Sequence, residues 1–296
     1  MKSVCLIVNP NAGRKTGLVA ARAVAGLLGR GGVECEELVS PAPGGTRAIA
    51  AALDPLAYDA ILAVGGDGTL FEVVNGLLEH RDSVPVPLGL IPVGTGNSFV
   101  RDLGISSVED AVAPVLAGTT RGVDVGRFAA DAGDFYFANL LGAGFVSNVA
   151  HRARRYKAFG SMSYVFAVVE EVMRLRSTPV VLEIDGAVIE REALFVEICN
   201  SRYTGGSMMM APGALIDDGL LDVVVASRMN RRTVLALLPS IFAGRHVDSP
   251  LVEVFRGRSI RLTSARPMAL TPDGEFLGST PLEASVRERA LEMFCR

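Results

Sequence analysis

Between Ser3 and Phe99 the chain repeats one unit: a short apolar run, a turn of small residues, then a helical pattern. The runs are Ser3–Val8 (SVCLIV), Tyr58–Val64 (YDAILAV) and Val86–Ile91 (VPLGLI). The turns are NPNAG (9–13), GGDGT (65–69) and PVGTGN (92–97). Helices are expected over Leu18–Leu28, Gly44–Leu53, Leu70–Leu78 and Ser107–Leu116, with a short one after PVGTGNSF. Val33–Val39 (VECEELV) alternates like an edge strand. Strands joined through helices run parallel, so this half predicts a doubly wound sheet with helices on both faces. The three turns then gather at the carboxyl edge of that sheet, where ligands bind.

GGDGT is the most pointed of the three. Gly65, Gly66 and Gly68 let backbone approach an anion with no Cβ in the way. Thr69 and Glu72 form a T-x-x-E pattern that predicts a capping box, with Thr69 as N-cap. The free N–H groups and positive end of the following helix would face one point, which suits a phosphate. Asp67 would repel that phosphate unless a divalent cation or a mobile proton lies between them. No G-x-x-x-x-G-K-[ST] is present, and Gly94-x-Gly96 runs into Phe99, so neither a P-loop nor a dinucleotide fingerprint is formed.

After Gly122 the pattern changes to strands: Val123–Phe128, Phe135–Leu141, Val180–Ile184, Ala187–Asn200, Leu220–Ser227, Val252–Arg256, Ser259–Thr263 and Met268–Thr271. Asp185-Gly186, Asp218-Gly219 and Asp273-Gly274 read as hairpin punctuation. Helices are expected over Met162–Arg176 and Arg231–Ala243. The fold class is therefore α/β: an N-terminal doubly wound parallel-sheet domain (1–122) and a C-terminal antiparallel β-rich, β-sandwich-like domain (123–284). Residues 285–296 are expected to pack back on the first domain, with the active-site cleft between the two.

A hydrophobic fraction of 49% with 21% charged residues supports a sizeable core. The net charge of -3 argues against a nucleic-acid surface. Cys5, Cys35, Cys199 and Cys295 are scattered, which fits a reducing compartment and excludes a zinc ribbon. The apolar run of MKSVCLIVNP is too short for a signal peptide, and no stretch reaches the ~18 residues of a membrane span. A cytoplasmic protein is expected, associated peripherally with the inner face of the membrane if it handles lipid. An exposed edge strand leaves a homodimer open.

Taken together, NPNAG (9–13), GGDGTLFEVVNGL (65–77), PVGTGN (92–97), GGSMMMAPGALIDDGLLDVVV (205–225) and DGE (273–275) resemble the bacterial diacylglycerol-kinase-like lipid kinases. Sphingosine and ceramide kinases are more distant relatives. The resemblance implies an ATP- and Mg2+-dependent lipid kinase acting on diacylglycerol or a related lipid alcohol. It implies ATP-binding loops at Asn9, Pro10, Asn11, Ala12 and Gly13, at Gly65, Gly66, Asp67, Gly68, Thr69, Leu70 and Phe71, and at Thr95, with Ser40 in a looser correspondence. It implies Asp67 near the γ-phosphate and its Mg2+, and Glu275 as general base on the lipid hydroxyl. It also implies a structural Mg2+ site at Asp218 with the carbonyls of Leu215 and Leu220.

Two residues depart from the family pattern, which usually has Asn where Phe71 stands and Asp where Ser98 stands. They leave open a nucleotide-binding protein with reduced catalysis, while GGDGT, which NAD kinases share, leaves open a soluble-substrate kinase of the NAD kinase type. The run 211–225 and the late DGE favour the lipid kinases. The basic stretch His151–Lys157 reads either as a solvated helix face or as a contact for anionic lipid headgroups. Met208–Met210 reads as core or cleft lining.

Overall fold

The computed structural model describes residues 1–94, 96–153, 156 and 162–296, with 162–165 described as backbone only. The first half runs β1 (Ser3–Val8), a single irregular turn α1 (Ala12–Lys15), α2 (Gly17–Arg30), β2 (Glu34–Val39), α3 (Gly45–Ala52), β3 (Ala60–Gly65), α4 (Asp67–Leu77), β4 (Leu88–Pro92) and α5 (Val108–Ala117). The second runs β5 (Thr120–Ala130), β6 (Gly133–Phe137), β7 (Leu140–Gly144), α6 (Phe145–Ala153), α7 (Met162–Met173), β8 (Thr178–Ile184), β9 (Ala187–Cys199), β10 (Tyr203–Thr204), β11 (Met208–Met209), β12 (Leu221–Ser227), α8 (Arg231–Leu237), β13 (Val252–Gly257), β14 (Ser259–Ser264), β15 (Leu270–Pro272) and β16 (Leu282–Phe294).

Strands β2-β1-β3-β4 are parallel neighbours in that order. β3 and β4 are buried along their whole length, as strands covered on both faces must be. α2 packs with α5, and α3 with α4. Right-handed crossovers place these pairs on opposite faces, because β1 to β2 moves one way across the sheet and β2 to β3 to β4 the other. β2 is the edge, with exposed Glu34, Glu36 and Glu37, the charged edge that discourages further pairing.

The second half is antiparallel and is joined to the first through β16. One end of β16 pairs with β14 and almost all of it with β5, while Met293 lies opposite Leu88 of β4. The order continues β14-β8-β9-β12-β13, and β7 adds to β9 and β15. The far end of β16 supplies Ala290, Leu291, Met293 and Phe294 to the same core as Val4–Val8 and Ala60–Val64. A second core fills the antiparallel part around Phe128, Leu182, Val196 and Val223. A third lies under α6 and α7, around Phe145, Val168, Phe195 and Cys199.

Several sequence expectations need correction. α4 starts at Asp67 with Gly66 in extended conformation as N-cap, so Thr69 is inside the helix and forms no capping box. Thr69 Oγ1 instead accepts from Asn9 Nδ2 (3.1 Å), and Glu72 accepts from the Thr46 hydroxyl. The expected strand Phe135–Leu141 is two strands broken at Ala138-Asn139, because those N–H groups and that of Leu140 turn to the Asp273 carboxylate. Asp185-Gly186 does make a tight hairpin, both residues at positive φ. Asp218-Gly219 does not; β12 pairs with β9 and β13, and the Gly219 N–H is bound by Asp124 Oδ2 (2.7 Å). The predicted helix from Arg231 is α-helical only to Leu237 and continues as 3-10 turns.

Of the basic stretch 151–157, residues 154, 155 and 157 lie outside the described residues. Arg152 is committed to Glu170 and Glu171 rather than open to an external anion.

One buried charge gives a direct test of the fold. Glu197 on β9 is 2% exposed, lies opposite Gly142 and Val224, and its Oε2 has no hydrogen-bond partner. Burial lifts its carboxyl to about 8. The folded state therefore keeps this proton where an unfolded glutamate, at about 4.3, has released it. Native protein binds more protons in that window, so the contribution of Glu197 to stability falls as pH rises through it. Glu197→Gln has no proton to lose. Urea unfolding should show the variant gaining on the wild type from about pH 5 to about pH 8; a pH-independent difference would contradict the neutral carboxyl.

Candidate active site

The parallel strands stop in step: Val8 lies opposite Val39 and Val64, and Gly65 opposite Pro92. Asn9, Ser40, Gly66 and Val93 therefore leave the sheet side by side. Asn9 ties the first loop to the second: its Nδ2 bonds Thr69, and its Oδ1 accepts the Asn11 N–H (3.0 Å) in an Asx turn. Pro10, Asn11 and Ala12 follow in the same loop, and Gly13 adopts φ 56, where a Cβ would strike the Val93 carbonyl. Ser40 is buried and donates to the Ala42 carbonyl at 2.6 Å, closing its own turn.

The second and third loops touch backbone to backbone. A Cβ on Gly94 would lie 2.6 Å from Gly66 Cα, and one on Gly66 would lie 3.0 Å from Gly94 Cα. A Cβ on Gly65 would strike the Thr69 side chain. Glycine here is a requirement of close approach. The first N–H groups of α4 have no intrahelical acceptor, so Asp67 and Gly68 present donors beside this bare backbone. Asn97 Oδ1 is buried there without a partner, while its Nδ2 donates to the Gly94 carbonyl (2.8 Å). Leu70 and Phe71 are turned into the interior, 1% and 6% exposed. Only their backbone can belong to a ligand loop. Thr95 lies outside the described residues.

Asp67 is held from the third loop. Its Oδ2 accepts the Ser98 N–H (2.9 Å) and its Oδ1 the Phe99 N–H (3.2 Å). Burial raises its pKa, and these two bonds with the Ser98 side chain pull it back. Each oxygen keeps lone pairs for a further partner.

Glu275 comes from the other half of the chain. Its Oε1 lies 2.8 Å from where a Cβ on Gly68 would be, which places its carboxylate against the first turn of α4, one residue from Asp67. What brings it there is Asp273, which the sequence reading passed over as a turn residue. Asp273 takes φ 47 and accepts three backbone N–H bonds, from Ala138, Asn139 and Leu140, each at 2.9 Å. Burial lifts its carboxyl to about 7 against those bonds, and nearby Asp67 adds to the lift. The network continues to Asn200, whose Nδ2 donates to the Asp124 and Ala138 carbonyls at 2.8 Å. Asn75 on α4 completes the seam: its Nδ2 donates to the Tyr136 carbonyl (2.8 Å) and its Oδ1 accepts the Tyr136 N–H (2.9 Å). Nothing local in the sequence marks these partners, which are at least 61 residues apart.

The 215–220 turn is elsewhere. Leu215 is 52% exposed. The Asp218 carboxylate holds Arg256 through one oxygen and the Leu220 N–H (3.1 Å) through the other. Among the described residues no group of three or more His, Cys, Asp or Glu is placed to hold a metal.

Comparison with known proteins agrees with this geometry. The family profile described as "Diacylglycerol kinase catalytic domain" matches residues 3–128. That described as "YegS C-terminal NAD kinase beta sandwich-like domain" matches residues 139–295. A diacylglycerol kinase of Mycobacterium tuberculosis (strain ATCC 25618 / H37Rv) is 32% identical over 295 residues, covering 98% of this chain and 94% of the relative. The chain belongs to the diacylglycerol kinase family. A diacylglycerol kinase of Bacillus subtilis (strain 168) is 28% identical over 289 residues, 96% of this chain and 93% of the relative. A crystal structure of a Bacillus anthracis str. Sterne diacylglycerol kinase shares the fold, with TM-score 0.75 at 22% identity over 100% of this chain and 97% of that one. As a member of this family the chain is a kinase, a phosphotransferase with an alcohol group as acceptor. No helix among the described residues is long and apolar enough to cross a membrane.

Gly68→Ala separates site from fold. Alanine in a helix is favoured over glycine by about 0.5–1 kcal/mol, but its methyl must push the Glu275 carboxylate away. The variant should melt at or above the wild-type temperature and lose phosphotransfer by about tenfold or more. Full activity would show that Glu275 need not touch α4.

Proposed function

We propose that this kinase transfers the γ-phosphate of ATP, with Mg2+, to the hydroxyl of diacylglycerol or a related lipid alcohol. The observation that carries the reading is the meeting of Glu275 and Asp67 at the α4 N-terminus, from opposite halves of the chain. We take residues 1–122 as the nucleotide-binding unit and 123–284 as the lipid-substrate unit, with 285–296 returning to the first and the reaction in the cleft between.

The residues fit the nucleotide. The Gly66–Gly94 contact leaves backbone where a Cβ would intrude, and the first N–H groups of α4 with Asn9–Gly13 would receive the phosphates. Asp67 fits a hard cation, since both its oxygens are oriented by backbone donors and retain lone pairs. When bound, Mg2+ would neutralise charge on the transferred phosphoryl group. Glu275 would orient the lipid hydroxyl and accept its proton, and Asp273 would hold Glu275 by fixing the loop to Ala138–Leu140. Asp218 with the Leu215 and Leu220 carbonyls would form a structural Mg2+ site, for which Asp218 would have to give up Arg256. The lipid acceptor implies work at the membrane surface, with the protein cytoplasmic and peripherally attached.

Label transfer from γ-labelled ATP tests the reading, with Mg2+ and diacylglycerol in mixed micelles and NAD offered in parallel. The expected result is label in a chloroform-soluble product. Glu275→Gln should lower the rate about 10²–10⁴-fold, and Asp67→Asn should abolish transfer. Label confined to an aqueous NADP fraction would overturn the lipid acceptor in favour of a soluble one.

A further inference from the structure

We propose that Ser98 is a positioning residue that joins the Asp67 carboxylate to the tip of the β10–β11 hairpin, coupling the placement of that hairpin to the centre of transfer. The proposal rests on the role given to Asp67 above.

Ser98 is 1% exposed and bridges two partners, one through its N–H and one through its hydroxyl oxygen. Its N–H donates to Asp67 Oδ2 at 2.9 Å, and its side chain helps hold the Asp67 pKa down. The same Oγ accepts the Gly206 N–H at 2.8 Å, across 108 residues of sequence. Accepting from Gly206 leaves the hydroxyl its own proton, which an uncharged side chain can turn toward Asp67. An aspartate in its place could accept from Gly206 but would set two carboxylates together.

The surroundings are shaped for this junction. A Cβ on Gly96 would lie 3.2 Å from Asp67 Oδ2, 3.9 Å from Gly206 N and 4.0 Å from Ser98 Oγ, so all three converge on the space of one methyl group. Gly205 and Gly206 take φ 54 and 95, a conformation that turns the hairpin tip toward Ser98 and is open to glycine. A Cβ on Gly206 would press on the Gly96 carbonyl at 3.2 Å. The stalk of the hairpin is fastened separately: Asp102 accepts from the Arg202 guanidinium (2.5 Å) and from the Arg202 N–H (3.2 Å). Asp102 sets where the hairpin leaves the first unit, and Ser98 sets where its tip meets Asp67. What the sequence presents as a missing carboxylate is a neutral link between Asp67 and Gly206.

The test uses the full chain with Ser98→Ala and Ser98→Thr. In the unliganded protein, hydrogen exchange at the amides of 205–208 should quicken by about tenfold in Ser98→Ala, the loss of one net hydrogen bond, and stay near wild type in Ser98→Thr, which keeps the hydroxyl. In assays, Ser98→Ala should lower kcat by about tenfold or more with the KM for ATP within about threefold, and should raise the Mg2+ concentration needed for half-maximal rate. Threonine should restore both. Unchanged exchange at Gly206, or wild-type kcat and Mg2+ dependence in Ser98→Ala, would overturn the proposal. If the wild type transfers no phosphate to diacylglycerol, the acceptor reading fails, while the exchange result still decides whether Ser98 holds the hairpin.

Discussion

The hydrogen-bonded ladder of β16 is the constraint on which everything else rests. It pairs with β5 from Glu283 to Phe294, interrupted between Arg287 and Leu291, and meets β4 at Met293. The interruption is itself anchored: Arg289 takes φ 47, and its N–H is bound by Asp124 Oδ1 at 2.7 Å while the other oxygen binds Gly219. Because β16 belongs to both sheets, the parallel and antiparallel halves meet as one continuous sheet of 14 strands. A protein jointed only by a loose linker would not hold Glu275 against Gly68. Here Asn75, Asp273 and Asn200 close the seam with buried hydrogen bonds that cost several kcal/mol to leave unmade in aggregate.

The site then follows from steric permission and fixed donors rather than from strong ion pairs. Gly66, Gly94 and Gly96 bring three stretches of backbone into contact around Asp67. Asp67 is oriented by the backbone N–H groups of Ser98 and Phe99. Such donors do not swing away when charge moves, which is the preorganisation that phosphoryl transfer asks of a protein.

Much of this was legible in the sequence where the signal is local. The buried runs at β1, β3 and β4 can be read from their apolar content, and the Asp185-Gly186 hairpin from its turn chemistry. The misreadings share one cause, a distant partner. Thr69 and Glu72 match a capping pattern, yet Asn9 and Thr46 take their side chains. Phe135–Leu141 is apolar enough for one strand, yet a carboxylate 135 residues away from Ala138 breaks it. Ser98 read as a deficit because Gly206 is invisible from its position in the chain. The placement of Glu275 near Asp67 was available only through the family resemblance, since DGE alone is indistinguishable from an ordinary turn.

The path of β16 also bears on how the chain comes to be assembled. Ala290, Leu291, Met293 and Phe294 share a core with Val4–Val8, so segments far apart in the sequence must meet. As the chain leaves the ribosome, the parallel sheet has its four strands in hand but lacks the strand that covers Leu88. The antiparallel half can gather on its own core in the meantime, around Leu182 and Val223. Closure of the first unit thus waits on β16, which follows every other strand of the antiparallel half in the sequence.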